Sequence, residues 1–552
     1  MLSYRKLAMR VLGRPLHTGG SGSPRPASQR AAALILTAAM LTTLTAPAFA
    51  KEWYIEEGDI TVRAGETEGT NKVSQGENPE VEDTNTVITN SDKDKASSNT
   101  VTIEAKDKDD KVEVTLKDVN IDTSSRSEAA VSVTGEGNTN IELDGDNALK
   151  SDIYSSGISS SGSLTISGGE NDSLTAQGGS GADGFYSSGS LTISGGTVTA
   201  NGGSGGGGDG GDGIWSSGGV TISGGSTVTA NGGDGKDDYG GDGIRSDSGD
   251  VTISGGSTVT ANGGNGGNVS GDGIRSDSGD VTISGGTVKA AGGDSKDGYG
   301  GDGIRSGGVT ISGGTVNAAG GNGGKVGGYG ICSFARVAIS GGTVNAAGGN
   351  GKNSNGGSDG IISNDIDLSG SLELTAKAGR PNGKAISWAG HELDLDTIKD
   401  KLGPGAKVTA TDANGETKQV SSPIPRPVEP EEPEPVIPEE SSSSSDGGSA
   451  APSAPASFLP GLTVTDKDGQ HISYTSIRGN NVLSIRVGRF TASLRASLAA
   501  LRQLRAEGIE TITFQTILCS TTLSVDELLA MGGEDAEAVL THRLTASSLT
   551  VG

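Results

Sequence analysis

One short motif, Ile-Ser-Gly-Gly, returns at nearly constant intervals through the middle of the chain. It begins at Ile166, Ile193, Ile222, Ile253, Ile283, Ile311 and Ile339. A period of 27 to 31 residues is typical of solenoids, in which each unit buries its apolar face only by stacking on its neighbours. Function on such a scaffold usually resides in a surface that spans many units, rather than in a pocket with a few catalytic groups.

One repeat, residues 243–262, holds three short segments in which apolar and polar residues alternate. The segments are Ile244–Ser246, Val251–Ile253 and 259–261, and Gly, Asp and Asn residues separate them. This alternation predicts three strands joined by turns. A helix is disfavoured, because glycine costs about 1 kcal/mol at a helical position. The repeat therefore predicts one coil of an all-β parallel β-helix.

Stacked coils place equivalent side chains above one another, at the ~4.8 Å spacing of neighbouring strands. Three inward ladders of mainly β-branched residues are expected, since such residues pack well on a pleated surface. The ladders are Phe185, Ile214, Ile244, Ile274, Ile304, Ile331 and Ile361; the seven isoleucines of the repeated motif; and Val198, Val228, Val259, Val288, Val316 and Val344. The glycine-rich segments 202–211 and 232–241 have no apolar anchor, so they are expected to bulge out as loops.

Composition divides the chain of 552 residues into four parts. Residues 51–420 are assigned to the β-helix with irregular capping coils, and the regular rungs occupy about 157–363. Residues 421–460 are rich in Pro, Glu and Ser and predict a linker that is stiff in its first half and flexible in its second. Residues 461–552 predict a small C-terminal α+β domain of unknown type.

Residues 1–50 show the three parts of a secretory signal peptide. Basic residues are followed by an apolar run over 31–44 and by Ala48-Phe49-Ala50, which predicts cleavage before Lys51. The expected location is extracellular, either secreted or at the cell surface, and an uncleaved membrane anchor is the alternative. No other stretch approaches the ~20 apolar residues of a spanning helix, so no membrane insertion is expected after cleavage.

The chain is strongly acidic, with a formal net charge of −26. Such a chain does not bind nucleic acid or an anionic membrane non-specifically. Its two cysteines, Cys332 and Cys519, fall in different predicted domains. A disulfide framework is therefore not expected.

The C-terminal unit has a different pattern. Strands are predicted at 482–487 and 509–516, a helix at 491–507 that ends at Gly508, and a second short helix that begins at Ser524. The first helix is predicted from an apolar stripe on one face, formed by Leu494, Leu498, Leu501 and Leu504. Arginines lie off this stripe; they indicate either a solvated face or contacts with a cell-wall polymer or a protein partner.

Residues 101–170 contain an ordered series of segments: V-T-I-E-A, V-E-V-T-L-K-D-V-N-I, A-A-V-S-V, I-E-L-D-G-D-N-A-L-K and G-S-L-T-I-S-G-G. Followed by rungs with D-G-I and V-T-I-S-G-G-T-V, this order resembles a family of secreted bacterial carbohydrate-binding β-helix proteins, over residues 85–380. The resemblance implies a right-handed parallel β-helix, binding of cellulose or acidic pectic sugars, bound calcium and no need for catalysis. The longer glycine-rich loops depart from the family's pattern.

The aspartates of the D-G-I and D-G-F motifs form a ladder. Stacking would bring their carboxylates ~5 Å apart, which is repulsive unless cations or backbone N–H groups neutralise them. Calcium prefers such oxygen clusters and is one prediction; an Asx hydrogen bond within each turn is the alternative. The predicted ligands are Asp183, Asp212, Asp242, Asp272, Asp302 and Asp359, with Tyr329 in the equivalent place of one rung.

The residue after each of these motifs points outward and also stacks. Aromatic faces pack on sugar rings, and arginines pair with carboxylates. These positions predict a glycan-binding track of Tyr186, Trp215, Arg245, Arg275 and Arg305. The alternative is that Arg245 and Arg275 form ion pairs with Asp247 and Asp277 on the rim.

Together these patterns predict a non-catalytic protein that binds an acidic or cellulosic polysaccharide along one stacked face. Enzymes on this scaffold break the repeat to gather unlike catalytic groups. Here the rungs stay alike, and His391, His471 and His542 lie outside them. The alternatives are a structural or adhesin stalk that presents the C-terminal domain, and a polysaccharide lyase or hydrolase.

Overall fold

The computed structural model describes residues 51–422, except residues 68 and 355, and several segments of the C-terminal region. Those segments are 462–465, 475–478, 482–487, 492–516, 520–525, 528–529, 537–542 and 547–551. The chain divides into two compact units, Met1–Arg426 and Pro427–Gly552. The predicted signal peptide and nearly all of the predicted linker lie outside the described residues.

The first unit is a parallel β-helix of about 13 turns, which confirms the predicted fold class. Each regular coil has three strands, and each strand pairs in parallel with its equivalents in the coils before and after it. The first-strand row is Ile60–Ala64, Val101–Glu104, Val131–Thr134, Ile158–Ser160, Phe185–Ser187, Ile214–Ser216, Ile244–Ser246, Ile274–Ser276, Ile304–Ser306 and, after two long strands, Ile386–Trp388.

Two further rows complete the coils. The second-strand row is Glu52–Tyr54, Thr86–Thr89, Lys111–Lys117, Asn138–Asp144, Ser163–Gly168, Leu191–Ile193, Val220–Ile222, Val251–Ile253, Val281–Ile283 and Val309–Ile311. The third-strand row is Asn120–Asp122, Asp146–Lys150, Ser173–Gln177, Thr197–Asn201, Thr227–Asn231, Thr258–Asn262, Thr287–Ala291, Thr315–Ala319 and Lys407–Thr411. The long strands Ile331–Ala347 and Ile361–Lys377 each run through all three rows.

The core lies along the axis of the coils. All three predicted inward ladders are buried, with exposed fractions of 0 to 1 %, and they belong to one continuous apolar cluster. Strand alternation explains this result, because every second side chain of a strand faces the same side. The three ladders predicted from the sequence are therefore confirmed.

Four regular coils close through two glycine pairs, which we call the glycine neck; Gly232-Gly233 and Gly240-Gly241 are one example. In three other coils Ala182, Ser270 or Ser358 replaces one of these glycines. The Gly241 N–H donates to the Gly233 carbonyl at 2.9 Å within the coil. The Gly233 N–H donates to the Gly211 carbonyl of the preceding coil at 2.8 Å. A Cβ placed on Gly241 would lie 1.9 Å from the Gly211 carbonyl oxygen, so a larger residue does not fit.

The glycine-rich loops beyond the neck are also stacked. Parallel bridges join Gly235 to Gly205 and to Gly266, and join Tyr239 to Val269. The loops therefore leave the core, as predicted, but they form a regular row instead of independent bulges. Their order comes from backbone pairing between coils, for which an apolar pattern gives no signal.

Antiparallel strands occur at both ends of the β-helix. Near the beginning, Ile60–Ala64 pairs with Asn71–Gln75, which pairs with Val81–Asp83. Near the end, Ile386–Trp388 pairs with His391–Glu392, and Lys407–Thr411 pairs with Thr417–Ser421. Two 3₁₀ helices, Ile55–Glu57 and Leu395–Lys401, lie in the same regions. Such irregular ends limit the free strand edges through which solenoids aggregate.

The second unit contains two four-stranded sheets and one helix, Leu498–Ala506, in the part of it that the structure describes. One sheet comprises Leu462–Thr465, Ala492–Ser497, Glu537–His542 and Ser547–Val551. The other comprises Thr475–Arg478, Val482–Arg486, Thr511–Gln515 and Ser520–Ser524. Helical residues also occur at 525 and 528–529, near the predicted second helix.

The first predicted helix of this unit, over 491–507, is wrong in its first half. Ala492–Ser497 is a strand in which positions 492, 494 and 496 are buried, so a period of two applies where a helical stripe was expected. Strands on both sides pair with it and decide the outcome. The helix begins after Ser497, whose hydroxyl accepts the Ala500 N–H, and it ends before Gly508, at φ +87°.

Candidate functional site

A groove of about 370 Å³ follows four consecutive coils on one side of the β-helix. It forms where the chain bends from the loop row into the first-strand row. One wall carries the outward residues of the first strands, the other carries loop residues, and the bend between them is the floor. Its lining includes Asp183, Tyr186, Asp209, Asp212, Trp215, Tyr239, Asp242, Arg245, Val269, Ser270 and Arg275.

The first-strand wall contains the predicted glycan-binding track in the predicted order. Register pairs Tyr186 with Trp215, Trp215 with Arg245, and Arg245 with Arg275. The rings of Tyr186 and Trp215 stack on each other, with centroids 4.5 Å apart and planes 11° apart. Arg305 continues the row but is not part of the groove lining, and its guanidinium lies 5.3 Å from the ring centroid of Phe334.

Two of the three track arginines form the rim ion pairs that were the alternative interpretation. Arg245 contacts Asp247 through Nε and Asp277 through Nη2, both at 3.0 Å. Arg275 Nε lies 2.7 Å from Asp277 Oδ1. One carboxylate, that of Asp277, therefore holds both guanidinium groups. Arg305 differs, since no carboxylate of the described residues lies within ion-pair distance of it.

The D-G-I and D-G-F aspartates form the predicted ladder, and backbone N–H groups of the next coil donate to them; Asp183, Asp212 and Asp242 lie in the groove. Asp242 Oδ1 accepts the Asp272 N–H at 2.6 Å, one coil further on. The same bond is made by Asp183, Asp212, Asp272, Asp302 and Asp359 with the N–H groups of Asp212, Asp242, Asp302, Tyr329 and Lys384. The acceptor thus bridges two coils, whereas the Asx alternative placed the bond within one turn.

Burial dominates the ionisation of this ladder. Exposed fractions are only 8 % for Asp212 and 4 % for Asp242 and Asp272. Burial, together with the charge of the next aspartate, raises the pKa of Asp242 and of Asp272 to about 7. Burial likewise raises the pKa of Asp183 and Asp302 to about 6. These carboxyls therefore change charge near neutral pH.

Calcium binding at the ladder stays a prediction that the geometry does not by itself support. Calcium takes six to eight oxygen ligands, whereas each ladder carboxylate already uses one oxygen for a backbone N–H. Among the described residues, no group of three or more His, Cys, Asp or Glu side chains is arranged to hold a metal ion. The six predicted ligands do lie in one row, and each of their carboxylates accepts a backbone N–H from the next coil. They are Asp183, Asp212, Asp242, Asp272, Asp302 and Asp359.

The loop wall contains aromatic residues that the sequence-based site did not include. Tyr239 lines the groove and Tyr299 lies two coils further along the same row, joined through Val269. Their exposed fractions are 53 % and 49 %. The signal was available, because Tyr, Val and Tyr recur shortly before Gly-Asp-Gly at 239, 269 and 299, and Val326 holds the same place before Gly-Tyr-Gly. This loop row adds the ring of Tyr239 to the two rings of the first-strand wall of the groove.

Fold and ladders define the class of the chain: it is a parallel β-helix repeat protein. Three segments, residues 220–244, 281–304 and 309–331, match the family model for the Beta helix repeat. No curated protein matches the chain significantly, and no solved structure does. In the part of the chain that the structure describes, no helix has the length and apolar character for crossing a membrane.

Proposed function

We propose that the chain is a secreted, non-catalytic polysaccharide-binding protein and that the glycan lies in the groove, parallel to the axis of the β-helix. The observation that supports this proposal is the composition of the groove. Four successive coils supply it with the rings of Tyr186, Trp215 and Tyr239 and with the guanidinium groups of Arg245 and Arg275. Its first-strand wall presents one outward residue per coil at the ~4.8 Å spacing of strands, so an extended polymer parallel to the axis can contact all four coils.

The aromatic groups favour sugar rings as ligands. Tyr186 stacks on Trp215 with one face, while Ser159 precedes it in the row, so its other face has only a small neighbour. Tyr239 stands on the opposite wall and is half exposed. Aromatic rings pack against the C–H surface of sugars and their polar ends bond hydroxyl groups, which is the mixed character that a polyhydroxylated chain requires.

The regularity of the groove supports a binding role over catalysis. The buried Asp212, Asp242 and Asp272 share one environment, since each accepts one backbone N–H from the next coil. Acid–base catalysis on a polysaccharide needs two carboxyls in unlike environments. An extracellular location follows from the signal-peptide pattern and places the protein where polysaccharides occur.

The test is binding of the full-length chain to a panel of neutral and acidic polysaccharides, with Trp215→Ala and Tyr239→Ala as variants. Each variant is expected to weaken binding at least tenfold, about 1.4 kcal/mol, because each removes one ring from the groove. Trp388→Ala is the matched control, since Trp388 is exposed but does not line the groove. EDTA should leave binding unchanged.

Two results would contradict the proposal. Retention on no polysaccharide, by a chain whose circular dichroism shows folded β-structure, would favour the structural stalk. Retention that Trp215→Ala and Tyr239→Ala leave unchanged would place the glycan elsewhere on the protein.

A further inference from the structure

The arginines of the groove are occupied by the protein's own carboxylates. Asp277 lies 3.0 Å from Arg245 Nη2 and 2.7 Å from Arg275 Nε, and Asp247 lies 3.0 Å from Arg245 Nε. Hydrogen bonds and charge from both arginines outweigh burial, which by itself raises the pKa of Asp277, and hold that pKa below its usual value. Asp277 is therefore ionised and paired across the neutral range.

Above about pH 7 the charge that remains in the groove is negative, because the pKa of Asp183 is about 6 and that of Asp242 is about 7. Four carboxyl groups line it, those of Asp183, Asp209, Asp212 and Asp242, against two guanidinium groups. A polymer with a carboxylate on each sugar would need to break the pairs of Asp277 and would approach like charges at close range. Breaking a partly buried pair and leaving one partner unpaired is costly.

We propose that the groove takes an uncharged polysaccharide and excludes polyanions, and that Asp277 sets this preference by withholding Arg245 and Arg275 from a ligand's carboxylates. The inference rests on the proposed function, because it concerns the ligand of the same groove. Of the two polymers expected from the sequence, acidic or cellulosic, it favours the uncharged one, because the ion pairs that were the alternative interpretation of the arginines are present. The hydroxyl groups of a neutral glycan can bond these ion pairs without replacing them.

The experiment compares binding of the full-length chain to hydroxyethyl cellulose, an uncharged polymer, and to sodium polygalacturonate, a polyanion, at pH 8 and low salt. The wild-type chain is expected to be retained at least tenfold more strongly on the neutral polymer. Asp277→Asn, which removes the carboxylate that both arginines share and leaves Arg245 paired only with Asp247, is expected to raise retention on polygalacturonate at least tenfold. Asp367→Asn is the matched control, because Asp367 pairs with Arg336 outside the groove.

The outcomes separate this inference from the proposed function. Wild-type retention on polygalacturonate that an Arg245→Ala/Arg275→Ala variant abolishes would overturn the exclusion while leaving glycan binding intact. Equal gains from Asp277→Asn and Asp367→Asn would show a general charge effect and would also overturn it. Retention on neither polymer would contradict the proposed function, and the inference would fall with it.

Discussion

Two regions of the same coil are held together by different means. The three strands stack through apolar ladders whose members are fully buried, such as Ile244 on Ile274. The glycine neck stacks with no side chains at all, through N–H···O bonds that join Gly233, Gly241 and Gly211. The strands therefore tolerate any residue of similar shape, whereas the neck of the central coils depends on a close backbone approach that glycine permits without a Cβ clash. Ala182 and Ser358 occupy the position of Gly241 only in coils nearer the two ends of the stack. Regularity in this molecule thus has two independent origins.

The largest effect is expected from breaking the neck. Gly241→Ala would place a methyl group 1.9 Å from the Gly211 carbonyl oxygen, and backbone on both sides cannot yield locally. We expect a loss of about 4 kcal/mol in the free energy of unfolding, above the roughly 0.5 to 3 kcal/mol of most single substitutions, measured as a shift of the urea midpoint. Gly285→Ala is the control, since a Cβ there meets nothing within 4 Å. Equal losses of stability in Gly241→Ala and Gly285→Ala would show that the close backbone approach in the neck does not limit the residue at Gly241.

A cavity in the strand region should have a smaller effect. Ile244→Ala removes a fully buried side chain from the first-strand ladder, and such changes cost about 2 to 5 kcal/mol, less where neighbours can relax. We expect about 3 kcal/mol, because the isoleucines one coil away can shift toward the space. Ile153→Ala, at a position that is 52 % exposed, should cost less than about 0.5 kcal/mol. Chemical denaturation of the two variants measures the difference.

The strand region could be predicted from the sequence and the neck could not. Isoleucine and valine at a fixed period identify inward positions, because every second residue of each strand is buried and therefore apolar. Glycine pairs leave no such pattern, since the same residues mark flexible loops. Only the coordinates show that Gly205, Gly235 and Gly266 are bridged in a row. In the C-terminal unit, tertiary pairing turned a predicted helical segment, Ala492–Ser497, into a strand.

The same distinction applies to the site. The residues of the track followed from their place after D-G-I, and the structure puts Tyr186, Trp215 and Arg245 in one row. The ion pairs of the arginines with Asp247 and Asp277 followed only as an alternative, and the sequence did not show that Asp277 also contacts Arg245 from the next coil. The loop wall with Tyr239 was missed, since a loop thought to bulge irregularly offers no fixed surface.

The aspartate ladder lies where the neck meets the first strand. The smallest predicted effect is its contribution to the pH dependence of stability. Asp242 faces Asp272, Arg275 and Arg245, and its pKa in the folded chain, about 7, exceeds its unfolded value. The unfolded chain therefore binds fewer protons between about pH 4 and pH 7, and stability is lost as pH rises through this window. Asp242→Asn keeps an acceptor for the Asp272 N–H and should raise stability at pH 8 by about 1 kcal/mol.

Urea midpoints at pH 5 and pH 8 test this sign. The wild-type chain should be more stable at pH 5 than at pH 8, and Asp242→Asn should reduce this difference in stability between the two pH values. Asp250→Asn is the matched variant, because Asp250 Oδ1 also accepts an N–H from the next coil, that of Asp280, but lies at an exposed site. Greater wild-type stability at pH 8 than at pH 5 would contradict burial as the dominant cause.

The near identity of successive coils has a consequence for how such a protein changes over generations. Residues 242–264 and 272–293 are almost the same in sequence, and each coil contacts only its neighbours. Duplication or deletion of one repeat in the gene would join surfaces that already fit, including neck, ladders and loop row. The groove would lengthen or shorten by one strand spacing, ~4.8 Å, without any new contact having to evolve. The length of polymer that the protein spans is therefore open to change by recombination alone.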